Sequence, residues 1–297
     1  VCAIIGGIAG GGGVAAATGA FSKEQTTIYE GTRTPTVVNV SNVTGKDVLT
    51  APEIYATYVG STVGITTEIT TNVWGQPVSQ AAAGSGFVIT SDGYILTNYH
   101  VIEDADSIQV AFVDGTTYDA TLVGGESEND IAVLKINATG LTPVIIGDSD
   151  NVKVGEQVVA IGNPLGELTF SMTSGIVSAK DRSITMENGN VMNMIQTDTA
   201  INNGNSGGPL FDMYGQVIGI TSAKLSGSSS SEATIEGLGF AIPINDIKDM
   251  VTDIMENGYV TGKPYMGITV STVPESISER YGMSQGALVE SVDGSSC

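Results

Sequence analysis

A single histidine serves this chain of 297 residues, His100 in Ile95-Leu96-Thr97-Asn98-Tyr99-His100-Val101-Ile102. Imidazole is the side chain whose ordinary pKa falls in the neutral range, so imidazole acid–base chemistry can only reside here. Far downstream, Gly204-Asn205-Ser206-Gly207-Gly208-Pro209 sets a serine among glycines. A serine hydroxyl is a weak nucleophile until a base takes its proton, and the base needs a carboxylate to fix its tautomer and support its charged form. Asp130 is the candidate, because Asn129-Asp130 opens the apolar run Ile131-Ala132-Val133-Leu134 and a strand entrance holds a side chain rigidly. Asp104, Asp106, Asp114 and Asp119 lie in turn-like or alternating contexts that suit solvated carboxylates. Gly204 can adopt backbone angles closed to other residues, which would let its N–H and that of Ser206 converge on a developing oxyanion.

The order His100, Asp130, Ser206 discriminates between folds. Gly-Asn-Ser-Gly-Gly fits the nucleophile elbow of α/β-hydrolases, but those place the histidine after the serine, and none follows here. A subtilisin-type order would put the aspartate first; the order found is that of chymotrypsin. The elements agree. Residues 86–89 and 94–97 flank Ser91-Asp92-Gly93 as a hairpin, and further β-rich runs are expected at 107–113, 131–136, 157–161, 191–196, 216–221 and 238–242. Asp114-Gly115 and Tyr214-Gly215 supply turns, and 226–231 reads as a solvated serine-glycine loop. Many short strands without intervening helices predict an all-β barrel or sandwich. One helix is expected, capped by Asn245, with Ile247, Met250, Val251, Ile254 and Met255 on its apolar face and Gly258 closing it. Gly262-Lys263-Pro264 then breaks the chain before a β-like run over 265–270.

Composition narrows the function. Thirty-two acidic against eleven basic residues give a formal charge of −21, which repels polyanions and excludes nucleic acid as an expected partner. One histidine and two distant cysteines, Cys2 and Cys297, offer neither metal-ligand spacing nor a core disulfide, so no metal or cofactor is expected. Residues 1–21 carry no charge and as a helix would span about 32 Å, close to a bilayer core. They are read as a transmembrane anchor or signal segment, followed by a flexible Ser/Thr-rich linker over 22–52 and a folded domain over 53–258.

The segments GSGFVITSDGYILTNYHVI, NDIAVLKI, AIGNPLG, SGIVSA, QTDTAINNGNSGGPLFDMYGQVIGI and GLGFAIPI resemble those of the HtrA (Do/DegP-like) serine proteases over about 58–254. The resemblance implies a chymotrypsin-like double β-barrel, with His100 as general base, Asp130 as its orienter and Ser206 as nucleophile. It implies an oxyanion hole of Gly204, Asn205 and Ser206, and a primary pocket floored by Ala200 beside Ile201. With no charge at that floor, cleavage after small or medium aliphatic residues is expected, the substrate backbone pairing near Ile220, Thr221, Ser222 and Ala223. Two departures stand out: Asn203 occupies a position where the family often has Pro, and the neutral Asn205 replaces the Asp that secreted trypsin-like enzymes pair with a new N-terminus. Tyr265-Met266-Gly267-Ile268 looks like the carboxylate-binding loop of a PDZ domain, so 263–297 is read as the truncated N-terminal part of one, a site for peptide C-termini. The resemblance further implies misfolded proteins as substrates, a quality-control role in the bacterial envelope and a homotrimer; with 1–21 read as a single-pass membrane anchor, the protease domain is expected to be extracytoplasmic. The alternative reading is a non-proteolytic peptide-binding scaffold or chaperone; a third is acyl transfer on small esters.

Overall fold

Six antiparallel strands close the first half of the chain into a barrel. The computed structural model describes residues 47–73, 76–163, 170–185, 190–202, 204–223, 237–263, 268–272, 278, 280 and 286–292. The strands are β1 (Thr62–Val73), β2 (Gln76–Val88), β3 (Tyr94–Thr97), β4 (Ser107–Ala111), β5 (Thr117–Glu126) and β6 (Ile131–Ile136), in the order β1-β2-β3-β6-β5-β4. The second half adds β7 (Ile145–Ile146), β8 (Gln157–Gly162), β9 (Ser171–Thr185), β10 (Val191–Thr197), β11 (Pro209–Asp212), β12 (Gln216–Ser222) and β13 (Gly239–Pro243). Their order β11-β8-β9-β10-β13-β12 returns to β11 by antiparallel pairing, and β7 joins β12 in parallel at Gln216 and Val217. This is the chymotrypsin-like double barrel that the resemblance implied.

Continuous apolar runs mark strands buried on both faces. In β6, Ala132, Leu134 and Ile136 fill the first barrel, while Ile131 and Val133 point into a core shared with the second. In β8, Val158 and Ala160 fill the second barrel, while Val159 and Ile161 enter the same shared core. That core also takes Phe87, Leu96, Met194, Phe211 and Ile220, and so joins the two halves through apolar surface. Each fully buried side chain of this size contributes roughly 1.5–3 kcal/mol.

Among the described residues, three α-helices flank these strands. The first, α1 (Ala51–Tyr58), opens with Glu53 accepting hydrogen bonds from both the N–H and the Oγ of Thr50, and buries Ile54 and Tyr58, the latter stacked on Phe211 at 4.8 Å between ring centroids. A single turn, α2 (Tyr99–Ile102), follows β3, and α3 (Ile244–Asn257) follows β13. The expected linker therefore ends earlier than 52: the Leu49 N–H bonds the Met213 carbonyl, and α1 begins at Ala51. Asn245 does not cap α3. Pro243 holds the cap position, while Asn245 lies in the first turn with its N–H on Ser149 Oγ and its amide on Asp148 Oδ1. Gly258 closes the helix as expected, with φ of 84° and its N–H on the Ile254 carbonyl.

Strands β1 and β2 pair with each other along their whole length, from Thr62↔Phe87 to Val73↔Gln76. The barrel engages only part of that length, since β4 pairs with Gly64–Glu68 of β1 and β3 with Phe87 and Val88 of β2. The distal half is a free two-stranded ribbon, whose β1 edge is capped where the Thr70 N–H bonds Asp106 Oδ2 at 2.7 Å. Beyond α3, β14 (Ile268–Thr272) and β15 (Ala287–Val292) form an antiparallel pair. The segment 1–21, the serine-glycine loop at 226–231, Asn203 and the loop residues Tyr265, Met266 and Gly267 lie outside the described residues, while Ile268 begins β14. No described helix is long and apolar enough to cross a membrane.

Candidate active site

Pairing of β3 with β6, in which Thr97 faces Ala132, brings the chain after β3 beside the chain before β6. Val101 and Ile102 of α2 are buried in the first-barrel core, which leaves the His100 ring, 20% exposed, at the cleft. Asp130 enters β6 from a left-handed conformation, φ 53°, which aspartate tolerates better than most residues. Its carboxylate meets the His100 backbone N–H with Oδ1 at 2.9 Å and His100 Nδ1 with Oδ2 at 2.8 Å. A carboxylate accepts only, so Nδ1 carries the hydrogen and Nε2 is left as an acceptor. Ser206 Oγ lies 2.9 Å from that Nε2. The three residues singled out by type and order are thus in contact in the expected relay, two from the first barrel and one from the second.

The turn carrying Ser206, between β10 and β11, is fastened from below. Ser85 N–H bonds the Ser206 carbonyl at 2.8 Å, and Ser85 Oγ bonds the Gly204 carbonyl at 2.8 Å while accepting from the Asn163 N–H. The Ser85 carbonyl in turn accepts from Thr97 Oγ1. Gly207 needs to be glycine: its φ is 83°, and a Cβ there would collide with the Ser85 carbonyl and with Thr97 Oγ1. Its N–H bonds the Thr221 carbonyl, and Thr221 Oγ1 reaches back to the carbonyls of Asn205 and Gly208.

The trypsin-like peptidase domain family matches residues 84–220. A probable periplasmic serine endoprotease, DegP-like, of Halomonas elongata is 41% identical over 244 residues, covering 82% of this chain and 50% of that protein. The protein of the same description from Pseudomonas putida is 45% identical over 211 residues, covering 70% of this chain and 43% of its own length. The chain thus spans about half the length of the curated relatives it matches. Among solved structures, an HtrA-type protease AlgW with a decapeptide superposes with a TM-score of 0.62 at 31% identity, covering 84% of this chain and 81% of that one. The chain belongs to the HtrA family of serine proteases.

Against that HtrA frame, the loop before the serine shows how it is ordered without an ion pair. Asn205 folds its carboxamide back, Nδ2 on the Ala200 carbonyl at 2.9 Å and Oδ1 accepting from the Asn202 N–H at 2.8 Å, and its own N–H bonds the Asn202 carbonyl. The N–H of Gly204 is not free for an oxyanion as expected; it donates to Asn202 Oδ1 at 3.2 Å. Ala200 is exposed, whereas Ile201 packs against the second-barrel core. The expectation of substrate pairing along 220–223 needs correction. Ile220 and Thr221 are flanked on both sides, by Ile242 and Ala241 of β13 and by Pro209 and Gly208, so no edge is open at those two residues, while Ser222 pairs with Phe240 of β13. Ala223 is at the site, its N–H 3.1 Å from Ser206 Oγ.

Residues that sequence reasoning passed over are Ser85, Asn98 and Asn202. Asn98 is buried, with Nδ2 donating to the Asp130 carbonyl at 2.9 Å and Oδ1 accepting from Ser206 Oγ at 3.3 Å. No group of His, Cys, Asp or Glu that could hold a metal occurs among the described residues.

Proposed function

We propose that this HtrA chain is a serine endopeptidase that cleaves misfolded or damaged proteins after small aliphatic residues through an acyl-enzyme. The observation that carries it is the unbroken line from Ser206 Oγ through His100 to Asp130, at 2.9 and 2.8 Å. In the forward step, Ser206 Oγ attacks the scissile carbonyl as its hydrogen passes to His100 Nε2, and Asp130 supports the imidazolium without taking the proton. His100 then returns the proton to the leaving amine, and a water repeats the sequence to free Ser206. The oxyanion is met by backbone N–H groups of Gly204 and Ser206 once Gly204 has exchanged its bond to Asn202 for one to the substrate. The pocket reading rests on the uncharged residue at Ala200, and the edge reading on Ala223, whose N–H reaches Ser206 Oγ.

The test is degradation of casein and labelling by a fluorophosphonate. Ser206→Ala and His100→Ala are expected to lose roughly 10^4- to 10^6-fold in turnover while keeping the β circular dichroism of the parent. Equal casein loss with Ser206→Ala would reject the enzyme and leave a binding scaffold. A peptide panel should turn over faster after Val than after Lys, and the reverse would remove the pocket assignment.

The same reading includes a periplasmic, membrane-tethered protein, supported by the uncharged segment 1–21 and by relatives described as periplasmic. It also includes a homotrimer, and a second domain over 263–297 that takes peptide C-termini, both following from the family. N-terminal sequencing of protein recovered from membranes, sedimentation, and peptide titration test these in turn.

A further inference from the structure

Asn98 stands where a helix cap is expected and does not serve as one. It precedes α2 in an extended conformation, φ −80° and ψ 149°, the usual setting for an asparagine that bonds the first turn, yet its side chain makes no such bond. The carboxamide turns inward and is completely buried. A buried amide left without partners is destabilising, and both ends of this one are used. The Asp130 carbonyl can only accept, so Nδ2 must face it, at 2.9 Å, and Oδ1 then faces Ser206 Oγ, at 3.3 Å.

We propose that Asn98 is a positioning residue of the proteolytic site, one carboxamide that sets Asp130 from its backbone and Ser206 from its hydroxyl. The proposal rests on Ser206 being the nucleophile. Through Nδ2, Asn98 restrains the carbonyl of the residue held at φ 53°, the conformation from which one carboxylate reaches both the His100 N–H and Nδ1. Through Oδ1 it offers the Ser206 hydrogen a second acceptor beside Nε2, while the Ala223 N–H occupies an Oγ lone pair. Three contacts thus fix the Oγ rotamer across the junction of the two barrels. Acylation removes the hydroxyl hydrogen, so the Oδ1 contact is present in the free enzyme, lost in the acyl-enzyme, and restored when His100 returns a proton to Oγ.

The experiment uses the full chain with Asn98→Leu, which keeps volume and removes both polar ends, and Asn98→Ala. Rates of fluorophosphonate labelling, kcat and KM on a fluorogenic peptide, the pH profile of kcat/KM and the melting temperature are compared with the parent. Expected is a fall of about 10- to 100-fold in kcat and labelling rate, the scale of a small misplacement of reacting groups, with KM unchanged and a displaced acid limb of the profile. Labelling within twofold of the parent, or an unshifted profile with loss that disappears once the folded fraction is counted, overturns the proposal. A second measurement needs no variant: in parent protein labelled with 15N-asparagine, the Asn98 amide resonances should shift when Ser206 is phosphonylated, and unmoved resonances also overturn it. A parent that is not labelled at all would refute the peptidase reading instead.

Discussion

At the scale of single residues, a carboxamide, Asn205, stands where secreted trypsin-like enzymes carry an aspartate. Asn205 orders the serine loop by hydrogen bonds to Ala200 and Asn202, and Asn202 holds the Gly204 N–H. In the proposed mechanism the Gly204 N–H has to leave a bond worth about 1 kcal/mol net before it meets an oxyanion. Asn202→Ala, which keeps the Asn205 N–H on the backbone carbonyl, is therefore expected to raise kcat on a short peptide about fivefold. Steady-state kinetics at saturating peptide checks this, and a lowered kcat would show that Asn202 supports the loop more than it restrains it. His100, Asp130 and Ser206 were legible from residue type and chain order because each chemistry admits few candidates. Asn98 was not, since an asparagine ahead of a short helix reads as a cap and only the inward turn of its side chain says otherwise.

At the scale of elements, the nucleophile turn is built against the β2–β3 hairpin. Gly207→Ala would place a methyl against the Ser85 carbonyl and Thr97 Oγ1 in a left-handed conformation that itself costs about 1–2 kcal/mol. It is expected to lower the melting temperature and abolish labelling of Ser206, and a variant that melts and labels like the parent would contradict the fit described. In the turn between β11 and β12, burial pushes the Asp212 carboxyl up, against bonds from the Gln216 and Tyr214 N–H groups that pull it down. A carboxyl whose folded pKa is raised retains its proton more strongly when folded, so its contribution to stability declines as pH climbs from the unfolded value through the folded one. Asp212→Asn keeps the acceptor oxygen and is expected to raise the melting temperature at pH 7 and to lose that advantage below about pH 4. Melting curves across pH 3–8 decide it. Strands with unbroken apolar runs, β6 and β8, were legible in sequence, but β1 and β9 were not. In β1 the buried Val63 and Ile65 are interspersed with threonines, of which Thr62 and Thr67 are themselves buried, and β9 buries only Val177 deeply, so neither shows an apolar run. The occupied edges of β12 were equally hidden, because which strands flank it is a matter of topology.

At the scale of the molecule, the reacting groups straddle two barrels joined by one apolar core, so the site exists only while the halves are docked. The whole chain carries a net charge of −21. Cationic peptides should be cleaved with higher kcat/KM than anionic ones of the same cleavage sequence at low ionic strength, and the ratio should approach one as the screening length falls from about 10 Å at 0.1 M salt to about 3 Å at 1 M. A ratio indifferent to salt would locate the discrimination in local contacts.

The ribbon formed by the far halves of β1 and β2 has a consequence of another kind. Past the strands that flank it in the barrel, its outer N–H and C=O groups have no strand beside them among the described residues. A bare β edge is a template on which any extended chain can lengthen the sheet, including a second copy of itself. A protease acting on misfolded chains, as proposed above, would thereby be exposed to capture by its own substrates. Pro77, paired with Asn72, deletes a backbone donor within this stretch. The ribbon is tolerable at such a length because its template is interrupted.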